Sequence, residues 1–249
     1  MNKFIVALFA ALFFSGKLNT VSAQDILKDD EIKATKRDTK NYNLVSIDGK
    51  NQKVTIMPDY ENHVLKITYL KETISIQDFW GVPPEISLLN KNFIRINYAM
   101  RGGSGVGLGN TMIICINGSH LYQAMHVLRY LTGESAGIQE EYRIKMHLVG
   151  KHINSYKLKV SVHDFVDSKP LPKENYVYDN NTILAFDVQQ NVFYSVKQGL
   201  YDQFIITKNK TRQKVNGNFP VIILGKDTYY FINGKWYFNR LDKEMIEFQ

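Results

Sequence analysis

Two stretches decide the fold: ICINGSHLY, residues 114–122, and YFINGKWYF, residues 230–238. Each sets Asn-Gly between flanks of β-branched and aromatic residues. Asn-Gly suits the two central positions of a type I′ turn, where both residues take positive φ, and between such flanks it is the strongest short-range hairpin signal. Two further stretches share the form, Ile47-Asp48-Gly49-Lys50 and Val215-Asn216-Gly217-Asn218. Four such turns predict an antiparallel meander. The two quoted stretches are similar enough to suggest an internal repeat, but one turn chemistry used twice explains them more simply.

The surrounding sequence agrees. In NFIRINYAM, residues 92–100, Ile94, Ile96, Tyr98 and Met100 fall on one side and Arg95 and Asn97 on the other, the alternation of a strand. The aromatic density around Asn233-Gly234 favours strands, and YDQFIITKNK (201–210) and FPVIILGKD (219–227) read the same way. Residues 119–131, SHLYQAMHVLRYL, carry apolar residues at both helical and strand spacing; the preceding Asn-Gly favours a strand. GIQEEYRIK, 137–145, has the composition for a helical turn or two. The expectation is an all-β, mainly antiparallel protein: a β-sandwich or curled meander with several type I′ hairpins and little helix.

The chain begins with a short basic start, then an apolar run from Phe4 to Phe14, then Val21-Ser22-Ala23. Eleven apolar residues are too few to span a bilayer, which takes roughly 20. In this order the three parts read as a signal peptide over residues 1–23, cleaved before Gln24. The one cysteine, Cys115, lies in an apolar run rather than at the cleavage point, so no lipid anchor is expected. Without Lys3 and Lys17 the formal charge falls from +7 to +5. That mild excess suits an anionic envelope surface or an acidic glycan, whereas an exported chain seldom meets nucleic acid. A chain of this size can bury a core without disulfides, and a cysteine among isoleucines is ordinarily inert.

Residues 24–40 are rich in both charge signs and read as a flexible lead-in. Residues 166–181, VDSKPLPKENYVYDNN, have the prolines and charges of a linker or long loop. They would divide a β-rich domain over 41–165 from a C-terminal β-meander over 182–249.

The remaining question is RGGSGVGLGNT, residues 101–111. It lacks the lysine of a phosphate-binding loop, fails the dinucleotide fingerprint at every register, and places Ser104 in no nucleophile elbow. Gly103, Gly105, Gly107 and Gly109 nevertheless alternate with Ser104, Val106, Leu108 and Asn110. If extended, one face carries no side chains, at about 0.5–1 kcal/mol per glycine relative to alanine. Close approach of another backbone or a ring is the usual reason for such a face; a flexible loop between strands 92–100 and 111–116 is the plainer reading. An anion nest with Arg101 is a third.

No histidine pair has zinc-site spacing, and the adjacent carboxylates Glu140-Glu141 lie in a polar stretch. No catalytic residue, metal ligand or cofactor motif is read. QDFWGVPPEI, 77–86, could hold Trp80 on a rigid loop facing a sugar or peptide, although such a residue often folds into the core. The candidate ligand-binding residues are therefore Trp80, Arg101, Gly103, Ser104, Gly105 and Gly107. The leading expectation is an exported binding protein for a glycan, peptide or envelope component. The alternatives are a secreted hydrolase with its site near residues 101–110, and a structural or inhibitory protein acting through a strand edge.

Overall fold

The chain runs as a succession of antiparallel strands in a computed structural model that describes residues 38–249, apart from 78, 81, 103, 104, 242, 243 and 249. The expected signal peptide and nearly all of the lead-in lie outside the described residues. Residues 38–249 cluster as one compact unit.

Strands β1 (Lys40–Val45), β2 (Asn51–Asp59), β3 (Val64–Tyr69) and β4 (Glu72–Ile76) form a four-stranded sheet in chain order. An eight-stranded sheet follows, again with chain neighbours paired. Its strands are β5 (Glu85–Leu88), β6 (Ile94–Met100), β7 (Val106–Asn117), β8 (His120–Ser135), β9 (Ile138–Val149), β10 (Lys157–Ser168), β11 (Tyr176–Asp187) and β12 (Val192–Tyr194). The last five strands, β13 (Val196–Ile206), β14 (Arg212–Leu224), β15 (Asp227–Ile232), β16 (Lys235–Leu241) and β17 (Glu244–Glu247), close into a barrel. In an up-and-down run of five strands the first and last point the same way. The closing pair β13–β17 is accordingly parallel while its other ladders are antiparallel.

The all-β expectation holds, and the ambiguous segment 119–131 is strand β8. The helical turns expected in 137–145 are absent: these residues enter β9, whose inward side is Ile138, Tyr142 and Ile144. A two-residue turn at Ala136-Gly137, with φ of 50° and 76°, joins it to β8.

The four Asn/Asp-Gly pairs divide by context. Asn233 and Gly234 have φ of 51° and 82° between paired Ile232 and Lys235, the expected type I′ geometry. At the other quoted stretch, Asn117 pairs with His120, so the loop is Gly118-Ser119. There only Gly118 has positive φ, as a type II′ turn requires. Asp48-Gly49 closes a longer loop, with the Ser46 N–H donating to the Lys50 carbonyl and Gly49 at φ 93°. Asn216-Gly217 is no turn. It lies inside β14, opposite a bulge where β13 inserts Tyr201 and Asp202, and the Asn216 side chain accepts the Asp202 N–H at 3.0 Å.

The connection expected at 166–181 is narrower, since β10 and β11 pair as far as Val166 and Tyr176 within one sheet. The chain passes from sheet to barrel at Ser195, whose N–H donates to the Val221 carbonyl at 2.8 Å.

Alternation explains the aromatic run. Along β15 and β16, Tyr230, Ile232 and Tyr237 fill the barrel with Leu200, Ile205, Val215, Val221 and Met245. Their neighbours Tyr229, Phe231 and Trp236 point outward into a larger core with Phe93, Ile113, Leu158, Leu184 and Phe193 of the sheet. Both sides of these strands are buried, so the sequence reads as continuously apolar. Trp236 Nε1 donates to the Gln123 carbonyl at 2.9 Å, tying barrel to sheet.

Candidate functional site

The glycine-rich stretch is a strand over most of its length. β6 ends at Met100 and β7 begins at Val106, so the flexible-loop reading is corrected for 106–110. Gly107 and Gly109 pair with Thr132 and Tyr130 of β8, and Gly109 also faces Ala99 of β6. A β-carbon on Gly109 would lie 2.2 Å from Tyr130 Cε1, and one on Gly107 2.6 Å from Thr132 Oγ1. The missing β-carbons thus let two β8 side chains settle against the β7 backbone. Gly105 serves the loop, at φ 78°. Gly103 and Ser104 lie outside the described residues.

Strand parity places further groups on this face. Arg95, Asn97 and Ala99 of β6 share it with Thr111, Gly109 and Gly107 of β7, and with Tyr130 and Thr132 of β8. At its upper end stands the Phe79-Trp80 pair. Phe79 is fully buried and bridges to Met100; Trp80, held by its N–H to the Ala99 carbonyl at 2.9 Å, is 44% exposed. The Arg101 guanidinium lies over the indole, 5.7 Å from its centroid. The His63 ring is nearly parallel to it, 9° off at 6.0 Å. On the other side of the glycines the Arg129 guanidinium lies 5.0 Å from the Tyr130 ring centroid. Arg129 Nη1 reaches Glu85 Oε2 at 3.4 Å, and Asn97 Nδ2 donates to the same oxygen at 3.0 Å.

The fold therefore brings together Trp80, Arg101 and Gly107, with Gly105 in the adjoining loop. Sequence reading missed His63, Glu85, Asn97, Arg129 and Tyr130. The alternation of Arg95 and Asn97 was a usable signal; nothing local ties His63, at φ 53° in the β2–β3 turn, to Trp80.

A second polar cluster sits where the β14–β15 turn meets the sheet. The Asp164 carboxylate accepts the Tyr176 hydroxyl at 2.7 Å and lies 3.6 Å from the Lys226 ammonium, which also contacts Tyr176. Tyr229 donates to Asp227 at 3.2 Å. Burial, reinforced by Asp164 and Glu140, pushes Asp227 up to about 7. Glu140 is raised as well, by burial first and the Asp164 charge second; Asp164 is raised by burial alone, against the opposing pull of Lys226 and His163. Three carboxylates facing one ammonium cannot all ionise cheaply, so the cluster retains a proton near neutral pH.

Two buried titratable groups elsewhere are structural. His126 shares a 2.5 Å hydrogen bond with Tyr98, and burial holds it down to about 3, so it stays neutral. Burial pushes the Cys115 thiol well up, and its sulfur points at the Asn191 carbonyl, 3.7 Å away. Among the described residues no three of His, Cys, Asp and Glu are placed to hold a metal ion, and no helix is long and apolar enough to cross a membrane. No protein-family model matches the chain, and no curated protein or solved structure is detectably similar to it.

Proposed function

We propose that this is an exported, non-catalytic binding protein that takes a glycan chain across the glycine-floored face of β6, β7 and β8. The observation that carries the reading is the pairing of two aromatic rings with two guanidinium groups on one polar face: Trp80 with Arg101, and Tyr130 with Arg129. Aromatic side chains offer large apolar area with few rotatable bonds, and guanidinium groups add directed donors for hydroxyl and carboxylate oxygens. Gly107 and Gly109 draw Tyr130 and Thr132 down, which keeps the floor between the rings low. Strand-edge association is a weaker reading, because the edge strands of the large sheet, β5 and β12, span four and three residues.

Titration calorimetry of the purified chain against neutral and acidic envelope oligosaccharides tests the proposal. Trp80→Ala and Tyr130→Ala are each expected to weaken binding about tenfold, equivalent to roughly 1.4 kcal/mol. Binding that both variants leave unchanged would move the site elsewhere. A failure of every oligosaccharide, with an extended peptide bound instead, would replace the glycan by a peptide.

A further inference from the structure

The eight-stranded sheet forks. β8 and β9 pair only from Tyr130–Arg143 to Ser135–Ile138. Beyond Tyr130–Arg143, away from the turn, β8 stays with β7 and β9 stays with β10, and the two strands part. A cleft of about 240 Å³ opens there, lined by Arg95, Asn97, Arg129, Glu85 and Lys145 among others. Arg129 is the extra residue of a bulge: Gly109 faces Tyr130 and Asn110 faces Leu128, leaving Arg129 between them without a β7 partner. Bulges commonly re-aim a side chain in this way.

Two features of the cleft ask for an anion. Three cationic side chains line it against one carboxylate, Glu85, whose side chain is 71% exposed and whose contact with Arg129 is long at 3.4 Å. In addition, the Nε atoms of both Arg95 and Arg129 are buried with no hydrogen-bond partner among the described residues. A buried donor left unpaired is costly; once a side-chain rotation turns Nε–H toward the cleft, it forms with one Nη–H the side-on fork that a carboxylate accepts with both oxygens.

We propose that this cleft binds an oxyanion, the carboxylate of an acidic sugar residue in the bound glycan, with Arg95 and Arg129 as its donors. The identification of the ligand as a glycan rests on the function proposed above; the anion site does not. Glu85 occupies the cleft as a built-in stand-in for the ligand carboxylate, which explains why an exposed acid turns inward to Asn97 and Arg129. The volume fits one charged substituent and its immediate ring rather than an oligomer, being below the 300–1,000 Å³ usual for drug-sized ligands. Asn97 and Arg101 stand four residues apart along β6 and just beyond it, roughly 14 Å at strand rise. A chain anchored in the cleft therefore reaches Trp80 within a few sugar units.

The test has two arms. In the first, the side-chain Nε–H resonances of Arg95 and Arg129 are followed by NMR in the wild-type protein during titration with acetate, and separately with inorganic phosphate. Saturable shifts at both arginines are expected with acetate. Saturation by phosphate alone would identify a phosphorylated rather than a carboxylated ligand and overturn the carboxylate assignment. Unmoved resonances with both anions would overturn the cleft as an anion site whatever the protein's ligand. In the second arm, an oligogalacturonate is compared with its methyl ester. The acid should bind at least about tenfold tighter; Arg129→Gln and Arg95→Gln should erase the difference, and Glu85→Gln should widen it. Equal affinity for acid and ester, with Trp80→Ala still weakening both, would refute the carboxylate site and leave the binding face standing.

Discussion

Replacing Asp227 by Asn should turn a pH-dependent stability into a flatter one. The Asp227 carboxylate is raised from 3.8 to about 7, by burial first and by Asp164 and Glu140 second, against the opposing pull of Tyr229 and Lys226. A raised folded-state value means that the native chain holds a proton the unfolded chain has released. The group's contribution is therefore fully present below about pH 4, declines as the pH rises, and is gone above about pH 7. Three units at about 1.4 kcal/mol each make the whole span roughly 4 kcal/mol. Asparagine carries no proton to lose, and its side-chain oxygen still accepts the Tyr229 hydroxyl. Relative to wild type, Asp227→Asn should gain about 3 kcal/mol between about pH 5 and pH 8.

Urea denaturation across that range measures this directly, with fluorescence as the probe, because Trp236 is 1% exposed at the junction of barrel and sheet. A difference between variant and wild type that stays constant with pH would show that Asp227 titrates normally. A variant that loses stability as pH rises would show an ionised Asp227 held by Lys226, and the reasoning about the cluster would fail.

Two further outcomes follow from the core and the glycine floor. Gly109→Ala puts a β-carbon 2.2 Å from the Tyr130 ring and should cost about 1–3 kcal/mol by forcing that ring outward, read as a shifted urea midpoint; a neutral effect would mean that Tyr130 has no fixed seat. Cys115, 0% exposed with its thiol pushed up by burial, should react with a thiol reagent only at the rate of unfolding, and rapid labelling of the native chain would contradict its place in the core.

The fold class was legible because its signals are local. Asn233-Gly234 formed the turn its chemistry favours, and alternation in residues 92–100 gave β6 its two sides. The failures have physical causes. Asn216-Gly217 carries the same dipeptide, but the bulge at Tyr201-Asp202 on the partner strand gave it a place inside β14. At Ala136-Gly137 an alanine adopts φ 50°, a conformation rare for a residue with a β-carbon, so the turn left no clear trace and the charged stretch after it suggested helix. Closure of the barrel rests on Phe204–Ile206 pairing with Glu244–Ile246, a parallel contact about forty residues apart that no local pattern announces.

The site was half legible for a related reason. Two alternations stand side by side in the sequence: Arg95, Asn97, Ala99 and Arg101 at every second position, then Gly103, Gly105, Gly107 and Gly109 at every second position. The register pairs Ala99 with Gly109, odd with odd, so Arg95, Asn97 and Ala99 share a face with Gly107 and Gly109. Taken separately, the first looks like an ordinary solvated strand side and the second like a loose loop. Taken together they describe a polar edge beside a floor stripped of β-carbons, which is a surface cleared for close approach. Tyr130 and Thr132 occupy part of that clearance in the folded chain. What the pattern does not encode is the partner strand: the bulge that leaves Arg129 without a β7 partner is set by the register of β8, and the β8–β9 pairing that stops beside it at Tyr130–Arg143 joins strands that no short stretch of residues specifies.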